Sequence, residues 1–347
     1  MNAFNDMLLL ARAATVNSPG GPFKLTVATT WVCDQKCTHC AIWERPRTDE
    51  LDAGEWRRVW RNASPRLSWL DLTGGEVTTR ADFAEIAIAA IEECPRLALL
   101  HYPSNGRRPE VLERITRAIL AANPPRLIVS LSLDGPPAVH DELRGDVGSF
   151  EKTVESYARL RALGVETYFG MTLSPFNVDH IAATFASLAE RIDGFSWRDL
   201  HVNFLHVSDH YFGNSGIETT DPAKLKAAID ELIARRGPPR HPTHLLEHLF
   251  LRRIDSYMQS GRSPLPCASL AGNAFIDPTG MVFPCHIWDE PIASLRDHDY
   301  SLKEIWALEK RSAVRAQVQA EQCPGCWTPC EAYPSILSNL GPANVLA

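Results

Sequence analysis

Short apolar runs rich in β-branched residues alternate along the chain with segments whose apolar positions recur at helical spacing. This pattern predicts six strands, at residues 24–30, 67–72, 97–103, 126–133, 165–173 and 199–205. Between them it predicts helices at residues 53–62, 80–93, 108–122, 149–163 and 178–192. Six β/α units in series indicate a parallel α/β sheet with right-handed crossovers. Two topologies remain open, a doubly wound sheet and a partial (β/α)6 TIM-like barrel, and both place ligands at the carboxyl ends of the strands.

The pattern changes after residue 236, where a proline-rich link and two helical segments follow. Two short apolar runs at 273–276 and 281–284 then flank the sequence Asp277-Pro278-Thr279-Gly280. Aspartate first, proline second and glycine fourth is typical of a type I turn, so we predict a β-hairpin. We therefore divide the chain into an N-terminal extension (1–22), a barrel core (23–236), a linker with helices (237–262) and a small C-terminal domain (263–347).

Composition narrows the class of protein. The chain has 347 residues, is 45% hydrophobic and carries a formal net charge of −7 without a basic block, which argues against nucleic-acid binding. No apolar run approaches the roughly 20 residues that would cross a membrane. Residues 1–16 contain a short apolar stretch without a preceding basic segment, so they predict an outer helix rather than a secretory signal. We expect a cytoplasmic protein.

Nine cysteines are unevenly distributed along the chain. Three lie at 33, 37 and 40, two at 267 and 285, three at 323, 326 and 330, and one alone at 94. An odd number with tight local spacings favours metal binding over disulfides. Cys94 is predicted to pack as a small apolar residue.

The first cysteine group follows the first predicted strand as Cys33-x3-Cys37-x2-Cys40. Three thiolates from one loop can hold a metal or cluster and leave one coordination position open, which a reactive site needs. A zinc ion is the competing occupant, but it would require a fourth nearby cysteine or histidine as a ligand. His39 is adjacent to Cys40 and would be strained in reaching the same ion. The spacing therefore favours an iron–sulfur cluster.

This loop and the motifs after the next strands resemble the radical S-adenosylmethionine (radical SAM) superfamily. The motifs follow in the family's order: Thr73-Gly74-Gly75-Glu76 after the second strand, Pro103-Ser104-Asn105-Gly106 after the third and Ser130-Leu131-Ser132-Leu133-Asp134-Gly135 after the fourth. The resemblance covers about residues 24–206 and 267–326. It implies a partial barrel in which Cys33, Cys37 and Cys40 hold a 4Fe–4S cluster that cleaves S-adenosylmethionine.

The resemblance also assigns further residues to S-adenosylmethionine binding: Ile42, Trp43, Gly74, Gly75, Glu76, Ser104, Asn105, Ser132, Asp134 and Arg144. Glu76 would accept a hydrogen bond from the ammonium group, and Arg144 would bind the carboxylate. The two glycines would let backbone groups approach the methionine part closely. Plainer interpretations are an ordinary turn at the glycines and a surface salt bridge at Arg144.

The C-terminal cysteines resemble the auxiliary cluster domains of the same superfamily, called SPASM with two clusters and twitch with one. The pattern is Cys267, Gly280-x4-Cys285 and Cys323-x2-Cys326-x3-Cys330. Four of these cysteines fill one 4Fe–4S cluster and five cannot fill two, so the resemblance implies a single auxiliary cluster. Cys330 is then a free thiol or an alternative ligand. Zinc on the same residues is the competing interpretation.

The implied function is formation of a 5′-deoxyadenosyl radical that abstracts a hydrogen atom from a substrate. An auxiliary cluster can take up an electron, which favours a net, dehydrogenase-like oxidation. The barrel begins near residue 24, without room for an N-terminal peptide-recognition domain, which favours a small-molecule substrate over a peptide to be cross-linked, epimerised or matured. A flavodoxin or ferredoxin is the expected electron donor. A non-catalytic scaffold with zinc in both cysteine groups is the alternative from a different class.

Overall fold

The computed structural model describes residues 21–46 and 48–340, so the helix predicted within residues 1–16 lies outside the described part. The six predicted strands are all present, with ends shifted by at most two residues. They are β1 (Lys24–Thr30), β2 (Trp69–Gly74), β3 (Leu99–Ser104), β4 (Leu127–Ser132), β5 (Glu166–Leu173) and β6 (Leu200–Phe204). The predicted hairpin is also present, as β7 (Asn273–Ile276) and β8 (Met281–Phe283), and a short β9 (Ala293–Ser294) follows.

Helices connect the strands on the outer side of the sheet and continue into the C-terminal part. Those between β1 and β6 are α1 (Ala53–Arg61), α2 (Phe83–Glu93), α3 (Pro109–Ala121), α4 (Pro137–Arg144), α5 (Ser149–Ala162) and α6 (Ile181–Ala189). The later ones are α7 (Pro222–Arg236), α8 (Pro242–Leu251), α9 (Ile254–Ser260), α10 (Leu302–Ala307), α11 (Glu309–Gln319) and α12 (Pro329–Ser338). Helix α4 was not predicted, because its eight residues are too few for a clear apolar period.

Local sequence explains where several helices begin. Asp52 precedes α1 and accepts a hydrogen bond from the Glu55 backbone N–H at 2.8 Å, while the Glu55 side chain accepts from the Asp52 N–H at 3.0 Å. Such a reciprocal cap stabilises a helix start by about 1 kcal/mol. Proline occupies the first turn of α3, α4, α7, α8 and α12, where its missing N–H costs nothing.

All strands belong to one sheet in the order β6-β5-β4-β3-β2-β1-β7-β8-β9. Strands β1 to β6 are parallel, β7 is parallel to β1, and β8 and β9 continue antiparallel. The sheet curls without closing, so the fold is a partial barrel, and the choice left open by the pattern is settled in favour of the barrel. Because the C-terminal hairpin pairs with β1, the C-terminal segment extends the barrel sheet itself.

The inward face of the sheet determines what the barrel can bind. Asp71 on β2 pairs in register with His101 on β3, and Ser130 on β4 pairs with Tyr168 on β5. His201 on β6 lies beside this row, with its ring stacked on Tyr168 at 3.8 Å between ring centroids. Interiors of (β/α) barrels are usually filled by bulky apolar side chains. A row of five polar inward residues therefore indicates a binding site rather than core packing.

Helices α8 and α12 cover the inner side of this sheet. Phe250 of α8 and Tyr333 of α12 are in ring contact at 5.5 Å, and the Trp327 indole donates a hydrogen bond to the Phe250 carbonyl at 2.9 Å. These contacts position the segment that carries the last cysteines against the mouth of the barrel.

Candidate active site

The first cysteine loop is fastened to the end of β2 by backbone hydrogen bonds. The N–H of Gly75 donates to the Thr30 carbonyl at 2.7 Å, and the N–H of Glu76 donates to the Val32 carbonyl at 2.8 Å. The loop that carries Cys33, and the turn that carries the glycines, are thus one rigid unit at the carboxyl ends of β1 and β2.

Gly74 and Gly75 are required by this close approach of two backbones. A Cβ on Gly74 would overlap the Thr30 carbonyl oxygen, and a Cβ on Gly75 would overlap the Val32 carbonyl oxygen. Gly74 also has a φ of +132°, which other residues rarely adopt. We predicted that these glycines let the backbone approach a cofactor closely. In the structure, the atoms nearest to the missing Cβ positions are carbonyl oxygens of the cysteine loop.

We expect Gly75→Ala to impair the cysteine loop, because a backbone oxygen cannot move aside as a flexible side chain can. The iron retained after anaerobic reconstitution should fall to about half or less of that in the unaltered protein. The free energy of unfolding should fall by no more than several kcal/mol. Gly216→Ala is the matched control, since nothing lies within 4 Å of its missing Cβ. Equal iron content in both variants would contradict a steric role for Gly75.

The three loop cysteines are partly buried and line a cavity of about 200 Å³, which we call the loop cavity. Burial raises the pKa of Cys33 to about 12 and that of Cys40 to about 11. The guanidinium of Arg144 faces the middle thiol, with Nη1 at 3.7 Å from Cys37 Sγ. Metal binding would therefore have to displace thiol protons, with one buried cation already present to balance thiolate charge.

Arg144 is buried rather than a surface residue, with 8% exposure. Its Nη2 lies 2.5 Å from Asp134 Oδ2 in an ion pair. Asp134 has no exposed surface and accepts a hydrogen bond from the Thr172 N–H at 2.9 Å. Although burial acts in the opposite direction, the charge of Arg144 lowers the pKa of Asp134 below its ordinary value. Asp134 does not line the loop cavity, so it positions Arg144.

The Glu76 carboxylate is almost completely buried and receives several hydrogen bonds. Its Oε1 accepts from the Ser104 hydroxyl at 2.8 Å and from the Thr78 N–H at 3.0 Å, while Oε2 accepts from the Asn105 N–H at 2.7 Å. Burial nevertheless raises the pKa of Glu76. A cationic group beside it would recover the lost solvation, as an ammonium group would.

The remaining predicted contact residues divide into two groups. Ile42, Trp43, Ser104, Asn105 and Ser132 all line the loop cavity. However, the Asn105 amide donates to Asp34 Oδ1 at 2.8 Å, and the Ser104 hydroxyl is held by Glu76. The side chains of these two residues support the loop and Glu76, so they have less freedom to bind a ligand than predicted.

The arrangement of the loop thiols bears on the choice between zinc and a cluster. Ligand sulfurs around one zinc ion lie about 3.8 Å apart, given a Zn–S bond of about 2.3 Å. Within residues 21–46 and 48–340, a single group of three metal-binding side chains has its ligand atoms within 4.8 Å of one another, and it contains none of Cys33, Cys37 and Cys40. The loop thiols are therefore spread more widely than one zinc ion requires, which fits a larger cluster.

A second cavity of about 290 Å³ lies inside the barrel, and we call it the barrel cavity. It is lined by the polar row on the inward face of the sheet, which consists of Asp71, His101, Ser130, Tyr168 and His201. His101 is held between two partners, with Nδ1 at 3.1 Å from Asp71 Oδ1 and Nε2 at 2.9 Å from the Ser130 hydroxyl. Asp71 in turn forms an ion pair with the fully buried Lys24 at 2.8 Å. This set can bind and deprotonate a polar group.

The loop cavity and the barrel cavity adjoin, because Pro103, Ser132, Thr172 and Asn203 line both. At this junction the Asn203 Oδ1 is buried without a hydrogen-bond partner in the described part of the chain. Buried polar atoms are normally paired, so this oxygen is available to a ligand. The motif after the fourth strand includes Ser130, but no sequence motif includes Asn203 or the other four residues of the polar row, because these residues come from separate strands.

A third cavity of about 400 Å³ lies under the C-terminal segment, and we call it the tail cavity. Cys267, Cys285, Cys323 and Cys326 line it, which are four of the five cysteines predicted there. Cys330 instead lines the barrel cavity. The structure thus separates Cys330 from the other four.

Residues 326–331, the wall segment, contribute to all three cavities. Cys326 and Glu331 line the tail cavity, Thr328 lines the loop cavity, and Cys330 lines the barrel cavity. The His206 Nε2 at the end of β6 accepts a hydrogen bond from the Trp327 N–H at 3.1 Å, which fixes this segment to the barrel. One turn of chain therefore separates the tail cysteines from the barrel interior.

Comparison with known proteins agrees with this geometry. Residues 27–188 match the radical SAM superfamily, and residues 267–327 match the SPASM iron–sulfur cluster-binding domain. The AdoMet-dependent heme synthase of Methanosarcina barkeri is 26% identical over 86% of this chain and 85% of its own length. The sporulation killing factor maturation protein SkfB of Bacillus subtilis is 26% identical over 46% of this chain and 38% of its own length. The crystal structure of Streptococcus suis SuiB bound to S-adenosylmethionine superposes with a TM-score of 0.62 at 16% identity, covering 86% of this chain and 68% of SuiB.

The chain belongs to the radical SAM superfamily, and it is a radical SAM enzyme with a C-terminal SPASM domain. The match does not give the number of auxiliary clusters, so the single cluster indicated by the cysteine count stays a prediction. These two domains imply S-adenosylmethionine and 4Fe–4S clusters as cofactors. Among the helices that the structure describes, none is long and apolar enough to span a lipid bilayer.

Proposed function

We propose that this enzyme oxidises a small-molecule substrate by two electrons in the barrel cavity. The observation that carries the proposal is the position of the wall segment, which contributes Cys326 to the tail cavity and Cys330 to the barrel cavity. An oxidation that begins by loss of a hydrogen atom needs a nearby acceptor for the second electron. The wall segment keeps the tail cysteines within one turn of chain from a molecule bound in the barrel.

The donor sets suit the cofactors that the two domains imply. Cys33, Cys37 and Cys40 would hold the cluster that binds S-adenosylmethionine, and Cys267, Cys285, Cys323 and Cys326 would hold the auxiliary cluster. When bound, these groups would supply hydrogen-atom abstraction from the substrate and a one-electron acceptor. The domain division at residues 22, 236 and 262 belongs to the same proposal, as does an external flavodoxin or ferredoxin as electron donor.

The protein's own residues would bind the cofactor and orient the substrate. Glu76 and Arg144 bear charges opposite to those of an amino-acid group, and the buried Asn203 oxygen is available at the junction of the cavities. Asp71 holds His101 by its Nδ1, which leaves Nε2 directed toward the Ser130 hydroxyl and the barrel cavity. His101 can therefore accept the proton that a substrate hydroxyl loses as it is oxidised.

A small molecule is favoured by two features. The charged groups around the barrel cavity are paired, Lys24 with Asp71 at 2.8 Å and Arg236 with Glu247 at 2.9 Å, which suits a neutral ligand. The heme synthase, whose product is a small molecule, matches over most of the chain, whereas the maturation protein SkfB matches over less than half. Modification of a peptide is the second candidate, and that partial match supports it.

The test uses transfer of deuterium to the cofactor. Extract from cells of the producing organism grown in deuterated medium is separated into a small-molecule fraction and a peptide fraction. Each fraction is incubated anaerobically with the reconstituted enzyme, S-adenosylmethionine and dithionite, and 5′-deoxyadenosine is analysed by mass spectrometry. We expect deuterated 5′-deoxyadenosine with the small-molecule fraction. Deuterium from the peptide fraction alone would favour the second candidate, and absence of 5′-deoxyadenosine would contradict both.

A further inference from the structure

A histidine, a cysteine and a glutamate meet beside the wall segment. Ligand atoms of His286, Cys330 and Glu331 lie within 4.8 Å of one another, and no other group of three or more metal-binding side chains in the described ranges comes as close. His286 follows β8, whereas Cys330 and Glu331 lie in the first turn of α12. We propose that these three residues bind one divalent transition-metal ion of the zinc type, separate from both iron–sulfur clusters.

The donor set is one that such an ion prefers. A thiolate, an imidazole nitrogen and a carboxylate are the usual protein ligands of zinc, at bond lengths of about 2.0–2.3 Å. Bonds of that length place the ligand atoms about 3.3–3.8 Å apart, so small side-chain shifts bring this group to coordination distance. Three protein ligands leave the fourth position for water or for a substrate atom.

The surroundings are those of a buried site with an unsatisfied ligand. His286 is 4% exposed and Glu331 is 3% exposed. The His286 Nδ1 lies 3.2 Å from Glu331 Oε2, yet no hydrogen bond of acceptable geometry satisfies this nitrogen in the described structure. A buried nitrogen that lies beside a carboxylate oxygen without a hydrogen bond between them is free to share an ion with that oxygen.

The local charges also favour a divalent cation. Lys24 is a buried cation that pairs with Asp71 at 2.8 Å, and its charge also acts on Cys330 and Glu331. With Asp71, the Glu331 carboxylate and a Cys330 thiolate all ionised, this one positive charge would face three negative charges, and two negative charges would remain unbalanced. A divalent ion would neutralise them in a region where unpaired charge is costly.

Further hydrogen bonds hold the ligands in place from behind. The Thr328 hydroxyl donates to Glu331 Oε2 at 2.6 Å, and the Ser335 hydroxyl donates to the Glu331 carbonyl at 2.6 Å. The Lys24 ammonium donates to the Cys330 carbonyl at 2.9 Å. Such supporting contacts orient metal ligands and are part of how a site gains affinity.

Glu331 also lines the tail cavity, but Cys330 lines the barrel cavity and is not among the four cysteines of the tail cavity, so the site uses none of the thiolates assigned to the auxiliary cluster. An ion bound here would lie at the wall of the barrel cavity. It would give the substrate a Lewis-acidic partner there, in addition to the polar row on the sheet. The competing interpretation is an ion pair between His286 and Glu331, with Cys330 as a free thiol or a cluster ligand.

The test measures zinc in protein whose clusters are already loaded. The enzyme is reconstituted anaerobically to about eight irons per chain, the content of two 4Fe–4S clusters, and dialysed against zinc chloride. Bound zinc and iron are then counted by elemental mass spectrometry. We expect one zinc per chain in addition to the iron. Cys330→Ser and His286→Gln should each weaken zinc binding at least about 100-fold while iron content is unchanged.

Two further variants make the result decisive. Glu331→Gln keeps the shape of the side chain and can still accept from Thr328, so it tests the site even if another variant fails to fold. Cys94→Ser is the matched control, because Cys94 is also buried but lies against the Trp60 carbonyl, away from all three cavities. It should bind zinc like the unaltered enzyme.

Three outcomes would overturn the proposal. They are absence of zinc from protein with full iron content, equal zinc binding by the unaltered enzyme and Cys330→Ser, and loss of about four irons in Cys330→Ser, which would make Cys330 a cluster ligand. The formation of 5′-deoxyadenosine is measured on the same samples. Failure of the proposed radical function would appear there, independently of the zinc count.

Discussion

Cys37→Ser abolishes formation of 5′-deoxyadenosine from S-adenosylmethionine and dithionite, with a loss of at least about a thousandfold. Cys37 is the middle thiol of the loop, and its Sγ lies 3.7 Å from the Arg144 guanidinium. A hydroxyl in its place is a poor ligand for iron, so we expect the protein to retain about four irons instead of about eight.

The measurement combines iron analysis with chromatography of the nucleoside product under anaerobic conditions. Cys94→Ser is the control, since that thiol is buried among apolar residues of the barrel core. It should retain both iron and cleavage. Full cleavage by the Cys37 variant would remove the loop from the proposed active site, and zinc in place of iron in the unaltered protein would support the scaffold alternative.

Cys326→Ser separates the two halves of the proposed reaction. Cys326 lines the tail cavity and begins the wall segment, so its loss should remove the auxiliary cluster, again leaving about four irons. The loop cavity is untouched, and we expect 5′-deoxyadenosine formation within about threefold of that of the unaltered enzyme. Conversion of the substrate identified by deuterium transfer should fall at least about 100-fold, because the second electron has no acceptor.

Electron paramagnetic resonance of the reduced protein would show which cluster signal is lost. Cys330→Ser is the informative comparison, because Cys330 lies one helical turn further along the chain yet faces a different cavity. It should keep both cluster signals. If Cys326→Ser converted substrate at the unaltered rate, the auxiliary cluster would have no part in the oxidation and the dehydrogenase-like function would be wrong.

Much of the fold was predictable from local pattern. The strands and helices of the first five β/α units follow apolar spacing that is visible within a dozen residues, and their ends were displaced by only a few positions. The short helix α4 was not predicted, because eight residues span too few turns to show a helical spacing of apolar positions. The pairing of β7 with β1 was not predicted, since hydrogen bonding across some 250 residues leaves no local trace.

The site divides along the same line. Cys33, Cys37 and Cys40 lie within eight residues of one another, so their common chemistry is a property of the sequence alone. The partnership of His101 with Asp71 and Ser130 is not, because the three residues come from three strands and meet only through the sheet register. The sequence also did not show why glycine is needed at positions 74 and 75, because the backbone that packs against them comes from the cysteine loop.

By itself, the sequence determined the class of chemistry, because a cluster-binding loop is a short segment and the spacing of its ligands can be read directly from the sequence. It also determined the alternation of strands and helices, which follows from local hydrophobic periodicity. The tertiary structure alone decided which polar residues face the barrel interior. It also decided that Cys330 lies next to His286 and not in the cavity lined by Cys323 and Cys326. Both outcomes depend on sheet register and on the point where α12 begins, and these are set by packing between distant parts of the chain.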